Sequence, residues 1–339
     1  MERTELGDIG EFGLIQRIKD GVTIYQPSTI KGIGDDAAVI DSGTHYTLLS
    51  TDLLMEGVHF DLAYFPLKHL GYKAIAVNVS DIAAMNGFPK QVTVSIGLSN
   101  RFSVEAIDEL YVGINEACKN YNIDLVGGDI STSKAGLCLS ISVLGEVPKE
   151  AIAYRSGAKP NDIVCVTGEL GSAYLGLQVL EREKQVYAGN PDMKPDIADY
   201  EFLIGKQLMP DGRTDIIHDL REKGLVPTSM MDISDGLASE VLHLSKASEV
   251  GFTIFIDNLP LDNKMLLTSN EFNISPITVA MNGGEDYELL MTFSQSDYDL
   301  VKSIPEITPI GFVTEEKSNI LVTKSGEKVP ITAQGWKHV

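Results

Sequence analysis

Aspartate recurs beside apolar runs along this 339-residue chain. Transfer of an unpaired carboxylate from water into an apolar segment costs several kcal/mol or more, so such segments normally exclude aspartate. Its repeated placement here predicts a compensating cation, and a cluster of divalent metal ions is the obvious candidate. The motifs are Gly34-Asp35-Asp36, Ser50-Thr51-Asp52, Val79-Ser80-Asp81, Gly127-Gly128-Asp129 and Asp232-Ile233-Ser234-Asp235.

The length of the chain and one turn-rich segment predict two domains. A chain of 339 residues exceeds a typical single core, and two units of roughly 150 to 190 residues fit it better. Residues 155–162 (RSGAKPND) are rich in turn formers and mark the region of the boundary. We expect an N-terminal domain over residues 1–150 and a C-terminal domain over residues 151–339.

Helical and strand-like patterns alternate along the sequence. Helices are predicted at residues 7–20, 70–85, 104–119, 172–183 and 237–246. Strands are predicted at residues 45–50, 91–98, 123–126, 137–147, 163–167, 229–233, 252–256, 288–293, 310–313 and 320–323, and a surface loop at 187–195. This alternation predicts a layered α/β or α+β architecture, with mixed sheets flanked by helices.

The charge balance restricts the partners. The chain has 48 Asp and Glu against 27 Lys and Arg, a net charge of -21. Duplex nucleic acid and anionic membranes need a basic surface, so neither is an expected partner. A nucleotide remains compatible if Mg²⁺ lies between its phosphates and the acidic side chains. For most of these acids, the simpler role is to keep the surface soluble.

The sequence carries no membrane or secretion signal that we recognise. No apolar run approaches the length of roughly 18 residues that crosses a bilayer, and the start MERTELGDIGEF lacks the basic-then-apolar order of a signal peptide. We therefore expect a cytoplasmic protein. Cys118, Cys138 and Cys165 are odd in number and form no CxxC pair, so buried free thiols are expected rather than disulfides or zinc.

Two of the motifs offer hard oxygen ligands of the kind that Mg²⁺ prefers. Ser50-Thr51-Asp52 follows a strand-like run and supplies two hydroxyls and a carboxylate, although such a motif also caps helices. Asn78 and Asp81 share one stripe of an otherwise apolar helix with Ala74 and Met85. Because no uncharged partner readily satisfies Asp81 there, we favour a functional role for it.

Glycines accompany the remaining acids. Gly127-Gly128-Asp129 ends an apolar strand, which suits close approach of a ligand, and a tight turn is the competing interpretation. Asp232 still belongs to a strand, whereas Ser234 or Asp235 can serve as a helix N-cap. Gly283-Gly284-Glu285 repeats the pattern of glycines before an acid. Gly32 to Ala37 resembles a dinucleotide loop only weakly, because its two acids would repel a pyrophosphate.

Seven segments in register carry a resemblance over essentially the full length. They are GIGDDAAVI, STDLLMEGVHF, GYKAIAVNVSDIAAMNG, LVGGDIS, YRSGAKPNDIVCVTG, MDISDGL and NGGEDYELL. In this order they resemble the thiamine-monophosphate kinases, which belong to the ATP-binding superfamily of aminoimidazole ribonucleotide synthetase. The resemblance implies transfer of the γ-phosphoryl group of ATP to thiamine monophosphate with several Mg²⁺ ions. It also implies a homodimer in which the N-terminal sheets of two subunits pair.

Roles for individual residues follow from the same resemblance. Asp35 precedes the matched metal aspartate and is the weaker candidate. The resemblance assigns Mg²⁺ to Asp36, Ser50, Thr51, Asp52, Asp81, Asp129, Asp232 and Asp235. It assigns ATP to Gly128, Asp129, Arg155 and Ser234, and the thiamine ligand to His59, Glu285 and Trp336. His59 and Trp336 also have structural alternatives, as an isolated histidine and as an anchor for the end of the chain.

The chemistry of such a transfer requires no general base. A phosphate monoester has a second pKa of about 6, so the acceptor is already a charged nucleophile at neutral pH. The reaction instead needs relief of repulsion between the phosphates and their alignment, which metal ions and Arg155 can supply. No catalytic side chain is therefore predicted.

Other enzymes remain as alternatives. Selenophosphate synthetase and the hydrogenase-maturation relative would show a reactive cysteine near one end of the chain, and this sequence has none there. An aminoimidazole ribonucleotide synthetase-like enzyme is disfavoured by NGGEDYELL and by the ending Trp336-Lys337-His338. A two-metal phosphoesterase would also gather aspartates at strand ends.

Overall fold

The first of two mixed β-sheets is built from residues in the first half of the chain. The structure is a computed structural model that describes residues 6–333. The strands of this sheet are β1 (Thr29–Lys31), β2 (Ala38–Asp41), β3 (Tyr46–Met55), β4 (Phe88–Leu98), β5 (Asp124–Thr132) and β6 (Cys138–Val147), in the spatial order β1-β2-β3-β6-β4-β5. The β4–β5 pair is parallel, and the other pairs are antiparallel.

Two helices cover one face of this sheet. They are α2 (Leu67–Ala84) and α3 (Val104–Tyr121), preceded by α1 (Leu6–Gly21), which is interrupted at Gly10. A side chain at Gly113 would place its Cβ 1.7 Å from the carbonyl oxygen of Lys68, so α2 and α3 approach too closely for any larger residue. The opposite face of the sheet exposes apolar side chains, among them Leu49, Leu53 and Leu144.

The second sheet is built from the rest of the chain. Its strands are β7 (Ile163–Thr167), β8 (Ser229–Ile233), β9 (Gly251–Phe255), β10 (Glu288–Phe293), β11 (Ile307–Thr314), β12 (Ile320–Val322) and β13 (Lys328–Pro330), in the order β13-β12-β9-β11-β7-β10-β8. The helices are α4 (Ser172–Gly189), α5 (Glu201–Leu208), α6 (Thr214–Glu222), α7 (Leu237–Ser248), α8 (Asn263–Glu271), α9 (Pro276–Asn282) and α10 (Tyr298–Lys302). The mixed α/β architecture predicted from the sequence is confirmed.

Helix α2 joins the two halves. It is buried along almost its whole length, which fits its low polarity. Ile75 and Val79 belong to the core of the first sheet, whereas Ala83 and Ala84 pack with residues of α6 and β10. The polar residues Lys73, Asn78 and Ser80 of α2 are therefore buried.

The strands that carry two of the acidic motifs are longer than predicted. Strand β3 continues through Ser50, Thr51 and Asp52 to Met55, so this motif lies inside a strand and caps no helix. Strand β5 likewise continues through Gly128 and Asp129, so the alternative of a tight turn is wrong. Pairing with β4 and β6 along their lengths offsets the weak strand propensity of these residues.

Other expectations are met in part. Helix α4 extends to Gly189, so the predicted loop at 187–195 begins three residues later. Cys118, Cys138 and Cys165 are free thiols, of which Cys138 is only partly buried. Among the described residues, no helix combines the length and apolar character that a membrane crossing requires.

Candidate active site

Three aspartates from separate parts of the chain meet between the two sheets. Asp36 precedes β2, Asp81 lies in α2, and Asp232 lies in β8. Each offers a carboxylate oxygen within 4.8 Å of the others. We call these three residues the aspartate cluster. Its members come from the loop before β2, from α2 and from β8, so the cluster exists only when the two halves of the chain are packed together.

Serine hydroxyls and one arginine hold the cluster. Ser50 donates a short hydrogen bond to Asp81, and Ser80 donates to Asp232 at 2.6 Å. Arg155 donates to Oδ1 of Asp36 through Nη2 at 2.6 Å and through Nε at 3.2 Å. The second oxygen of Asp36 is buried and has no hydrogen-bond partner among the described residues. Such an oxygen is suited to a metal ion.

Asp52 adds a fourth acid beside the cluster. Its backbone N–H donates to Oδ1 of Asn78 at 3.1 Å, while the amide of Asn78 donates back to the helix carbonyl of Ala74 at 2.9 Å. Asn78 therefore ties β3 to α2. The polar stripe predicted on this helix serves to place Asp52 next to Asp81.

The electrostatics show a shortage of positive charge. Burial raises the pKa of Asp52 to about 6 and, together with the charge of Asp36, that of Asp232 to about 7. Burial also raises the pKa of Asp81 well above its ordinary value, and Asp52, Asp232 and Asp36 add to this effect. Burial raises the pKa of Asp36 even though Arg155 acts in the opposite direction. A cation bound by these acids would favour their ionised forms.

Ser234 and Asp235 lie directly after β8, both partly buried. Helix α7 begins at Leu237 with Gly236 at its N-cap and without a side-chain cap, so the N-cap interpretation of these two residues is wrong. The backbone N–H of Asp235 donates to Glu240 at 2.8 Å. Asp235 is close to Asp232 in sequence but is not a member of the three-carboxylate cluster.

The structure separates Thr51 from the cluster. Successive side chains of a strand point to opposite faces, so Thr51 faces away from Ser50 and Asp52. Its hydroxyl donates to the carbonyl of Ile141 at 2.8 Å on the exposed face of the sheet. The expectation that its hydroxyl joins the same ligand set as Ser50 is therefore not met within one chain.

Gly128 and Asp129 are also distant from the cluster. Asp129 is paired through Ser95 and Ser140 with Leu53, so it lies on the outer face, three strand spacings or about 14 Å from β3. A side chain at Gly128 would place its Cβ 1.8 Å from a carbonyl oxygen of β4. The glycine is therefore explained by strand pairing as well as by ligand approach.

A shallow depression surrounds this Gly-Gly-Asp segment. It has a volume of about 470 Å³ and is lined by Val94, Tyr111, Leu125 and residues 127–130. Tyr111 was not singled out from the sequence, because a tyrosine on an amphipathic helix is indistinguishable from a packing residue. A larger cavity of about 660 Å³ lies elsewhere, between Tyr121 and the start of β10. Arg213 and Glu288 in its lining form an ion pair, and the other charged residues there are Lys206, Glu169, Asp211, Asp215 and Glu306.

Glu285 lies in a network of its own. Lys73 of α2 forms an ion pair with its carboxylate, Gln207 of α5 donates to it at 3.0 Å, and Tyr287 donates at 3.1 Å. Burial alone would raise the pKa of Glu285, but the charge of Lys73 and these hydrogen bonds lower it. The sequence did indicate Glu285, whereas Lys73 and Gln207 were missed. A lysine inside the apolar run of α2 was the available signal.

Tyr287 connects this network to the aspartates. Burial raises the pKa of its hydroxyl, and the charges of Glu285, Asp52 and Asp232 add to that effect. His59 accepts a hydrogen bond from the backbone N–H of Met55 at 3.0 Å through Nδ1, so it stabilises the turn after β3. Trp336 lies outside the described residues.

Comparisons with known proteins agree with this geometry. The family described as AIR synthase related protein, N-terminal domain, matches residues 34–147. The thiamine-monophosphate kinase of Aquifex aeolicus (strain VF5) is 36% identical, with 98% of this chain and 99% of that protein covered. The thiamine-monophosphate kinase of Bacillus subtilis (strain 168) is 35% identical, with 97% and 99% covered.

Solved structures give the same result. A structure described as AaThiL complexed with AMPPCP and TMP superposes with a TM-score of 0.84 at 33% identity, with 100% of both chains covered. The hydrogenase maturation protein HypE in complex with ATP has a TM-score of 0.68 at 15% identity and covers 91% of this chain, which shows a shared fold alone. Identity above 30% over nearly the whole length shows that this chain belongs to the thiamine-monophosphate kinase family.

Proposed function

We propose that this protein transfers the γ-phosphoryl group of ATP to thiamine monophosphate and forms thiamine diphosphate and ADP. Two observations support this reaction. The relatives are thiamine-monophosphate kinases, and the similar solved structure is described as a complex with AMPPCP and TMP. The observation that carries the proposal is the aspartate cluster, in which each of three desolvated carboxylates places one oxygen within 4.8 Å of the other two.

Mg²⁺ fits this donor set. The second oxygen of Asp36 has no hydrogen-bond partner among the described residues, and burial raises the pKa values of Asp52, Asp81 and Asp232, so these acids are suited to a divalent cation. These four residues, with Ser50 and Asp235, would hold several Mg²⁺ ions, which would neutralise the phosphates of ATP and of the acceptor. Thr51 and Asp129 lie on the outer face of the sheet. They remain proposed metal ligands only if they act from that face.

Arg155 would position the nucleotide. Its guanidinium is anchored on Asp36 and its backbone N–H on Asp35 at 3.0 Å, so its direction is fixed before a ligand arrives. Ser234, Gly128 and Asp129 complete the proposed ATP contacts. Because the acceptor phosphate is already anionic, the side chains have only to align and screen the two phosphates.

Glu285, His59 and Trp336 are proposed to bind the thiamine part of the acceptor. Among them, Glu285 has the best support from the structure, since its carboxylate is fixed by three neighbours. One of these neighbours, Tyr287, also lies near Asp52 and Asp232.

We also propose a homodimer formed through the outer face of the first sheet. Leu49, Leu53 and Leu144 leave 39%, 50% and 38% of their surface exposed on strands at the middle of this sheet. Contiguous apolar surface of this kind marks protein interfaces. Asp129 lies on the same face and is distant from the aspartate cluster of its own chain. In a dimer it can instead complete the site of the second copy.

Complementation tests this arrangement. Asp81→Asn and Asp129→Asn chains would be inactive separately, and refolding them together should restore part of the ADP formation if Asp129 acts across the interface. If Asp129 acts within its own chain, the mixture stays as inactive as its parts.

A coupled ADP assay tests the reaction itself. ADP should form only when thiamine monophosphate, ATP and Mg²⁺ are all present. Equal ADP formation without the acceptor would identify an ATP-hydrolysing enzyme. Release of phosphate from thiamine monophosphate without ATP would instead identify a phosphoesterase.

A further inference from the structure

Lys73 is an unusual residue for its position. It lies in α2 with 1% of its surface exposed, among side chains that are otherwise mainly apolar. Its ammonium group donates to the backbone carbonyl of Gln207 at 2.9 Å, forms the ion pair with Glu285, and lies 5.6 Å from the ring centre of Phe65. A buried ammonium is tolerated only when its environment supplies such partners. Glu285 is the acid that balances the buried charge of Lys73.

The consequence is a carboxylate with one orientation. Glu285 has a left-handed backbone conformation with φ of 61°, and its N–H donates to the carbonyl of Ser234 at 2.6 Å. Lys73 and Gln207 bind one carboxylate oxygen and Tyr287 binds the other. The Glu285 side chain nevertheless keeps 29% of its surface exposed. A fixed carboxylate that remains accessible is arranged to accept a further hydrogen bond.

Gln207 supplies a second acceptor. Its amide nitrogen donates to Glu285, which turns its Oε1 away from that contact. This oxygen is buried and has no hydrogen-bond partner among the described residues, and the residue as a whole is 3% exposed. An unsatisfied buried acceptor is costly unless a ligand or water donates to it.

We infer that Lys73 is a positioning residue that holds Glu285 as an ionised acceptor, and that Glu285 and Gln207 together recognise the amino group on the heterocycle of thiamine monophosphate. The inference rests on the proposed function and goes beyond it by naming Lys73 and Gln207 and the part of the substrate that they select. A primary aromatic amine has two N–H groups, which matches two acceptors. Lys73 cancels most of the local charge, so recognition depends on hydrogen bonding rather than on attraction of a cation.

A simpler role for Lys73 is to fasten α2 to α5 without any effect on substrate. A double-mutant cycle separates the two roles. The variants are Lys73→Met, Glu285→Gln and their combination, with Lys73→Arg as the conservative rescue. Lys206→Met is the control, because Lys206 lies beside Gln207 in α5 and pairs with the acids Glu169 and Glu288 outside this network.

The measurement is calorimetric binding of thiamine monophosphate in the presence of Mg²⁺ and a non-hydrolysable ATP analogue. Lys73→Met should weaken binding by about 10- to 100-fold, the size expected for loss of a charge-assisted hydrogen bond. In the Glu285→Gln background, Lys73→Met should weaken the binding of thiamine monophosphate by less than about threefold. Lys73→Arg should recover part of the affinity, and the apparent KM for ATP should change little in any variant.

Specificity for the amino group needs its own readout. Gln207→Leu should reduce the preference for thiamine monophosphate over oxythiamine monophosphate, which carries an oxo group in place of the amine, by about tenfold. The double variant Lys73→Met with Glu285→Gln removes both charges, so it keeps the test informative if the single variant fails to fold.

Two results would overturn the inference. One is a folded Lys73→Met protein that binds thiamine monophosphate as the wild type does; the other is a pair of losses that multiply independently in the double variant. Failure of the proposed function is distinguishable, because in that case the wild type itself would form no ADP with thiamine monophosphate.

Discussion

Two acidic regions lie between the sheets and are built in opposite ways. In the aspartate cluster, burial raises the pKa values of Asp81 and Asp232, and the guanidinium of Arg155 forms an ion pair with Asp36. In the second region, Lys73 overcomes the effect of burial and lowers the pKa of Glu285. The acids of the cluster outnumber the single positive charge of Arg155, whereas Lys73 balances the charge of Glu285.

This difference indicates what each region binds. A site that is short of positive charge is completed by a cation from solution, and its affinity for that cation includes relief of repulsion between its acids. A site whose charges are already balanced offers directed hydrogen bonds instead. The first arrangement suits metal ions with phosphates, and the second suits the organic part of a substrate.

The largest expected effect comes from removing one acid of the cluster. Asp81→Asn should lower the rate of ADP formation by about a thousandfold or more, because a metal ligand and its charge are lost. The metal-free protein should unfold at the same or a higher temperature than the wild type, because a desolvated carboxylate has been removed. Parallel rate measurements and thermal melts in EDTA test both parts. A clearly lower melting temperature would show that Asp81 is a structural residue.

The network around Glu285 should respond in the opposite direction. Lys73→Met leaves the Glu285 carboxylate without its ion pair and should lower the free energy of unfolding by about 2–3 kcal/mol. Urea denaturation without ligands measures this loss. Adding Glu285→Gln should recover most of it. A Lys73→Met protein as stable as the wild type would remove the contrast between the two regions.

The pH dependence of stability should differ between the metal-free and the Mg²⁺-bound protein. Asp52 and Asp232 have folded-state pKa values of about 6 and about 7, above their ordinary value in the unfolded chain. Between about pH 4 and pH 7 the folded metal-free protein thus binds more protons than the unfolded chain, and its stability falls as the pH rises. Melting temperatures in EDTA should decrease across this range by several degrees.

Mg²⁺ should oppose that decrease. It binds the ionised carboxylates, so the increase in melting temperature on adding Mg²⁺ should be greater at pH 8 than at pH 5.5. Asp232→Asn serves as the control, in which both effects should be smaller. An increase of equal size at the two pH values would contradict metal binding at the cluster.

The smallest expected effect is that of Asp35→Asn, which distinguishes Asp35 from its neighbour Asp36. Asp35 is paired with Lys31 at 2.5 Å and accepts from the backbone of Arg155, so its charge is already compensated. Asp35→Asn should reduce ADP formation by less than about tenfold, since one oxygen still accepts that backbone bond. Asp36→Asn should abolish the reaction. Equal losses in the two variants would place Asp35 among the metal ligands.

Much of the site could be predicted from the sequence because its residues conflict with their surroundings. Asp81 in an apolar helix and Asp232 in an apolar strand are costly unless they meet a cation, and that conflict is visible without coordinates. Lys73 presents the same conflict, yet its partner Glu285 is 212 residues away, so no local pattern in the sequence pairs them.

The sequence by itself determined the alternation of strands and helices, the acidic motifs and the family, because hydrophobic periodicity and short motifs are local properties of the chain. Only the tertiary structure decided that Asp36, Asp81 and Asp232 meet, that Thr51 and Asp129 face the other side of the sheet, and that Lys73 is paired with Glu285. The physical reason is that strand length and pairing determine which face a side chain occupies, and that packing of α2 between the sheets determines which distant charges become neighbours.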